Sequence, residues 1–323
     1  MEIRRKVEDK LYQQSLRLVR NAAIQKLAAA VPERLARSAQ ASLQGFVNRR
    51  LPVVKNSELV VSFGAFDEAA LEAAARCLFK HGVVVLEDTR FEACAAAISD
   101  TARSMIGPIS NFAASEASDS ETPEYYLQKR QVLFRGAAAM AAADKPVVDV
   151  RVSGVDAGMV DVFQYERLLS SETLQYFEES VRPFVEAVLA RVVPAPLLYK
   201  RSNLYYSADV VKPRRLHVDV VGPKRWSAKT FLYLSDVSLA HGPYRYVPGS
   251  HHTEWEKRVS YLANQLTGTF EQAPTDMQYF NAERALNLTG KAGTFVISLQ
   301  HGVHGACPQE PGRTRYVFVE NYY

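Results

Sequence analysis

The chain has 323 residues, 47% of them hydrophobic and 23% charged, with a formal net charge of +4. This is an ordinary globular balance with ample core, which excludes a disordered or fibrous chain. Three widely spaced cysteines, Cys77, Cys94 and Cys307, indicate neither a disulfide framework nor a cysteine zinc site, and with no signal-like apolar start and no long apolar run the chain is expected to be cytoplasmic.

Residues 1–55 form a basic extension, whose first 50 residues carry eleven Lys and Arg against four acids while the rest of the chain is slightly acidic. Val7, Leu11, Leu18 and Ala22, then Leu35, Leu43 and Val47, recur near helical spacing, and Pro32 stands where a second helix could begin. The spacing predicts a helical hairpin with one apolar face. The plainer expectation is that this face packs on the rest of the chain or on a second subunit. The sharper one is a basic amphipathic segment resting on the cytoplasmic face of an anionic membrane, or on an acidic carrier protein. Nucleic acid is not expected, because no basic stripe is interleaved with aromatics. The sequence leaves oligomeric state open.

A domain is expected over 56–323. Glu58–Phe63 reads as a strand, Asp67 as the N-cap of an alanine-rich helix ending near His81 and Gly82, and Val83–Leu86 as a buried strand. A second alanine-rich helix follows over Phe91–Met105, closed by Gly107 and Pro108. Ser110–Pro123 has no periodicity and is expected to be a loop, either a surface excursion or a lid over substrate. Val147–Val152 and Met159–Tyr165 predict strands, and Ser171–Val192 a long helix that Pro194 and Pro196 end.

Beyond it the chain is nearly all strand: 197–199, 202–206, the run around His217, 230–234, 244–247, 293–298 and 314–320. Short strands between Gly and Pro turns predict a mainly β architecture with flanking helices, its core a jelly roll. Residues 253–288 interrupt the strands and are expected to cover the site mouth, with Trp255 a candidate for substrate selection.

Chemistry concentrates between Arg214 and Arg315. In an extended strand residues two apart share a face, so His217 and Asp219 aim an imidazole and a carboxylate at one point. A second histidine from a distant strand would complete a set of two histidines and one carboxylate, which leaves an open face on an octahedral ion, as in non-haem Fe(II) oxygenases. His301 and His304 both qualify. An oxygenase using a dicarboxylate co-substrate also needs a fixed cation, and Arg315 lies eleven residues after His304 at the head of an apolar strand. Zinc is the main competitor for the metal. His251 and His252 follow Pro248, Gly249 and Ser250 and read as a turn, as does His241.

Taken in order, His217-Val-Asp219, Thr230-Phe-Leu-Tyr-Leu-Ser-Asp236, Gly242-Pro-Tyr-Arg-Tyr-Val-Pro-Gly-Ser-His251, His304 and Arg315 resemble the phytanoyl-CoA dioxygenase family. The resemblance runs from about Gly82 onward. It implies a double-stranded β-helix (cupin-like) core, Fe(II) held by His217, Asp219 and His304, and 2-oxoglutarate paired through its distal carboxylate with Arg315. Asn203, on a strand lining the barrel, and Thr230, at the start of the strand after the ligands, are candidates for further contacts to 2-oxoglutarate. The implied reaction takes O2, releases succinate and CO2, and hydroxylates an unactivated carbon; retention of Asp219 argues against halogenation. Desaturation or cyclisation by the same centre is the alternative, and a non-catalytic binding barrel the alternative from another class. Two positions depart from the family: His241 replaces a frequent asparagine, and Ala306 replaces a small polar residue that would hydrogen-bond the co-substrate.

Lys212, Arg214, Arg215, Lys224, Arg225 and Lys229 surround the ligand strand. They favour an anionic substrate, such as a sugar acid or a carrier- or lipid-linked group, with Arg215 and Lys229 as candidate contacts.

Overall fold

A computed structural model describes residues 2–31, 33–115, 126–128, 148–151, 157–212, 214–219, 226–267 and 276–323. Its first elements are three helices, α1 (Glu2–Val19), α2 (Ala22–Ala29) and α3 (Glu33–Asn48), where the sequence predicts two. The extra break falls at Asn21, whose side chain accepts from the N–H of Ala23 and so starts α2. After Leu59, β1 (Val60–Ser62) and β2 (Val83–Glu87) pair in parallel across α4 (Glu68–His81). Asp67 caps α4 by accepting from Ala70, and Gly82 closes it at φ 80°.

Helix α5 (Thr89–Ser115) runs past Gly107 and Pro108, where the sequence predicts a stop. A proline inside a helix removes one donor, and here the alanine-rich chain carries the helix beyond it. The expected loop over 110–123 therefore begins as helix, and from residue 116 it lies outside the described residues. The predicted helix over 171–192 forms as α6 (Ser171–Tyr176) and α7 (Arg182–Val192), joined by a π turn at Phe177–Val181 just before Pro183.

The remaining strands are β3 (Tyr126–Gln128), β4 (Val148–Arg151), β5 (Met159–Phe163), β6 (Tyr199–Ala208), β7 (Arg214–His217), β8 (Ala228–Tyr233), β9 (Tyr244–Tyr246), β10 (Leu286–Asn287), β11 (Phe295–Leu299), β12 (His304–Ala306) and β13 (Thr314–Tyr322). One sheet has the order β1-β2-β11-β8-β13-β6-β5-β4-β3 and the other β10-β9-β12-β7. The two strands expected over 197–206 are one, β6. From β6 onward the chain passes back and forth between the sheets. With α4, α5, α6 and α7 packed on the large sheet, the protein is a mixed helix-and-sheet fold rather than a mainly β one.

Period-2 alternation sorts the side chains of the large sheet into two layers. Leu204, Leu232, Ile297 and Phe318 face the helices, beside Leu78, Phe91, Ile98, Phe177 and Val188. Phe231, Val296, Val317 and Val319 face the small sheet. Two charges lie within the helical layer, where Arg182 Nε donates to Glu320 Oε1 at 2.9 Å. A third cluster joins the outside of the small sheet to the N-terminal extension: Val47 and Leu51 pack with Leu216, Val218, Val247, Met277 and Val303.

The interruption after β9 contains α8 (Glu254–Thr267), against which α1, α2 and α3 all pack. Arg258 of α8 stacks over the buried Tyr12 ring at 5.0 Å. Packing on the chain itself thus occupies the Tyr12 and Val47 faces, the plainer of the two readings of the extension. Among the described residues no helix is long and apolar enough to cross a membrane.

Val47 is fully buried in that third cluster. Val47→Ala is expected to lower unfolding free energy by about 2 kcal/mol, two carbons' worth of lost burial plus a small cavity. A urea midpoint unchanged from wild type would mean that α3 is not docked as described.

Candidate metal centre

His217 ends β7, His304 begins β12, and the two are directly opposed in the antiparallel register. Opposed residues share a face, so the imidazoles meet with ring centroids 4.4 Å apart. Asp219 follows β7 by two residues and is tied across the site by its own N–H, which donates to the carbonyl of Gln300 at 3.3 Å. Its Oδ1 lies 3.6 Å from Nε2 of His217 and 3.4 Å from Nε2 of His304. Ligand atoms of all three residues fall within 4.8 Å of one another.

Both histidines are held in one tautomer. Nδ1 of His217 donates to the carbonyl of Arg215 at 2.8 Å, and Nδ1 of His304 to that of Gly302 at 2.9 Å. A carbonyl can only accept, so each Nε2 presents a lone pair toward Asp219. Gly305 permits this approach of the strands, since a Cβ there would stand 2.6 Å from the carbonyl oxygen of Arg214. Burial, the neighbouring His304 and Arg214 push His217 below its ordinary value, which favours the neutral ligand. Burial would raise Asp219, but the Lys229 ammonium at its Oδ2 outweighs it and holds the carboxyl well below the usual range. The Asp219 side chain keeps 30% of its surface accessible where it lines a cavity of about 240 Å³.

Arg315 lies on the same cavity wall, on β13, beside Val317. Its Nη1 donates to the carbonyl of Gly242, while its buried Nε has no hydrogen-bond partner. An unpaired buried donor on a fixed cation is what a carboxylate-binding arginine presents before its ligand arrives. The donor set of two imidazoles and one carboxylate with this arginine fits Fe(II) and 2-oxoglutarate.

Of the other predicted site residues, Thr230, Asn203, Arg215 and Trp255 fall elsewhere. Thr230 is buried on the opposite face of β8 from Lys229 and Phe231, in the helix-facing layer, so strand parity removes it from the cavity. Asn203 shares the inward parity of Tyr205 and Ser207 but lies beyond the cavity, where its amide donates to Asp161 at 2.8 Å. Arg215 has an exposed side chain and contributes its carbonyl instead. Trp255 is 42% exposed on α8, and none of the described residues of 253–288 lines the cavity. Lys229 does line it, and grips Asp219 Oδ2 at 2.9 Å. Lys224 and Arg225 lie outside the described residues.

Of the two competing histidines, His304 stands at Asp219. His301 turns the other way, edge-on to Trp226 at 4.3 Å, with neither ring nitrogen partnered. His251 and His252 both hydrogen-bond the carbonyl of Phe79 at 2.8 Å, and His241 pairs with Ser238, in keeping with turn roles. Tyr244, Gln300 and Ser207 also line the cavity and were not among the predicted residues. Tyr244 meets Ser298 at 2.9 Å. For Ser207 a signal existed, since it is four residues from Asn203 on the same strand face; for Gln300, in a turn, there was none.

No protein-family model matches the chain, and no curated protein does. Among solved structures it is similar to the non-haem alpha-ketoglutarate-dependent carbocyclase SnoK from nogalamycin biosynthesis, at 16% identity and TM-score 0.45 over 78% of this chain and 83% of that one. It is also similar to AviO1 from Streptomyces viridochromogenes, at 16% identity and TM-score 0.48 over 80% and 96%. EctD from S. alaskensis, solved with 2-oxoglutarate and 5-hydroxyectoine, matches at 16% identity and TM-score 0.44 over 82% and 80%.

Two buried histidines beside the centre predict how stability responds to acid. Burial and the neighbouring His252 lower His251 to about 3, and burial and Lys257 lower His301 to about 2. Native values below the unfolded value mean that the unfolded chain takes up protons first as pH falls. Their contribution is complete above pH ~6.5 and should decline below it by about 1.4 kcal/mol per pH unit for each histidine. Urea midpoints at pH 7.5 and 5.0 check this, and equal midpoints would contradict it.

Proposed function

We propose that the chain is an Fe(II)- and 2-oxoglutarate-dependent oxygenase with a double-stranded β-helix (jelly-roll, cupin-like) core, similar to the phytanoyl-CoA dioxygenase family, and that it hydroxylates an unactivated carbon of an anionic small molecule. The observation that carries this reading is the convergence of His217, Asp219, His304 and the half-partnered Arg315 on one cavity. The passage of β6 to β13 between two facing sheets supports the core architecture. A zinc hydrolase has no use for the arginine, and a binding barrel has no use for the whole set.

His217, Asp219 and His304 would hold the metal. Arg315 binds the far carboxylate of 2-oxoglutarate through its fork, and Ser207, its cross-strand partner on β6, offers the hydroxyl that Ala306 lacks. When bound, the iron and 2-oxoglutarate supply, with O2, an oxidant able to take hydrogen from an unactivated carbon, releasing succinate and CO2. The apolar walls, Phe231, Val317 and Met159, exclude water from that chemistry. Lys212 and Arg214 on the same walls favour a substrate bearing a carboxylate, phosphate or carrier-linked group.

Anaerobic titration of the metal-free protein with Fe(II) and then 2-oxoglutarate tests the reading through the visible charge-transfer band of an iron-chelated keto acid. Wild type should develop the band, and Asp219→Ala should not. Arg315→Ala should weaken 2-oxoglutarate binding by about 30-fold, the loss of about 2 kcal/mol in charge-assisted hydrogen bonding. Folded wild type without a band would overturn the reading.

A further inference from the structure

We propose that Lys229 is a positioning residue of the metal centre, holding the Asp219 carboxylate so that it offers the metal one oxygen rather than two. The inference rests on the iron and 2-oxoglutarate reading above. The two carboxylate oxygens have separate partners: Oδ1 faces Nε2 of both histidines, at 3.6 and 3.4 Å, and Oδ2 accepts from Lys229 Nζ at 2.9 Å.

Lys229 is well placed to fix that division. It stands in β8 between two paired strands, opposite Ser298 of β11 on one side and Asn321 of β13 on the other, so its Cα is set by two ladders. Its parity aims the side chain inward, and only 19% of that side chain is accessible. An ammonium has donors and no acceptor, so on Oδ2 it occupies an oxygen without competing for the metal.

The division matters because carboxylates bind cations through one oxygen or both. A second oxygen from Asp219 would fill one of the three positions that the triad leaves open. The co-substrate would need two of these for its keto and carboxylate oxygens, and O2 would need the third. Lys229 therefore keeps the count of open positions at three. This differs from contacting the substrate, the role its sequence position suggests.

Lys229→Met and Lys229→Arg in the full chain separate this role from a stabilising ion pair. Co(II) serves as the metal probe, because the intensity of its visible bands reports coordination number, and 2-oxoglutarate is then titrated without oxygen. Wild type and Lys229→Arg should behave alike. Lys229→Met should bind Co(II) at least as tightly as wild type yet lose about tenfold or more in 2-oxoglutarate affinity, the scale of a lost outer contact to a ligand, with Co(II) band intensity already changed before the keto acid is added. Unchanged Co(II) spectra and 2-oxoglutarate affinity in Lys229→Met would overturn the proposal. So would a loss of Co(II) and 2-oxoglutarate binding together with a lowered melting temperature that Lys229→Arg does not restore. Wild type that binds no Co(II) would instead remove the metal reading itself.

Discussion

The direct opposition of His217 and His304 across the β7–β12 pair is the constraint from which the site follows. Side-chain direction alternates along a strand, so a slip of one residue in that pairing would send one imidazole to the outer face of the small sheet and leave Asp219 facing a single imidazole. Several features pin the register. Gly305 lets β12 approach β7 more closely than any side chain would allow. Leu216 and Val218 on either side of His217 are buried against Val47, Met277 and Val303, so the alternate parity would drive two large apolar residues into the cavity. The N–H of Met277 also bonds the carbonyl of Leu216 at 2.7 Å, extending the edge beside the ligand.

The same logic links the N-terminal extension to the candidate metal ligands, although none of its described residues lines the cavity. Helices α1 to α3 rest on α8, and Lys257 of α8 is buried, with its Nζ donating to the carbonyl of His301 at 2.6 Å. That carbonyl belongs to the turn whose next residue, Gly302, fixes the tautomer of His304. Burial lowers Lys257 to about 8, so holding an ammonium there costs free energy that the carbonyl and Glu254 offset. Arg17, Arg20, Lys26 and Arg34 of the extension are exposed around a packed apolar seam, and the extension's contribution to the site runs through the position of a turn.

Much of the site was legible because the relevant chemistry is periodic and local. The His-x-Asp spacing, the Asp67 cap, the Gly82 stop and the apolar strands around Thr230 and Arg315 each follow from rules within a few residues. What was not legible depends on parity relative to neighbours far away in sequence. Thr230 and Lys229 are adjacent in the chain, and only pairing with β11 and β13 decides which of them faces the cavity. Asn203 has the correct parity and the wrong depth, which depends on where β5 places Asp161. Spacing to Arg315 together with the family resemblance chose His304 over His301; the geometry behind that choice is the turn between β11 and β12.

Charge balance around the centre gives the arrangement its bias toward anions. Of the described residues that line the cavity, Asp219 is the one acid, against Lys212, Arg214, Lys229 and Arg315. If Asp219 were answered only by the metal, Lys229 would be an additional free cation competing with Arg315 for the co-substrate. With Lys229 on Oδ2 the carboxylate already has a cationic partner, and Arg315, on another strand, keeps an unpaired donor. In the proposed centre an incoming anion would meet the arginine, because the lysine that would compete for it is already engaged at Asp219.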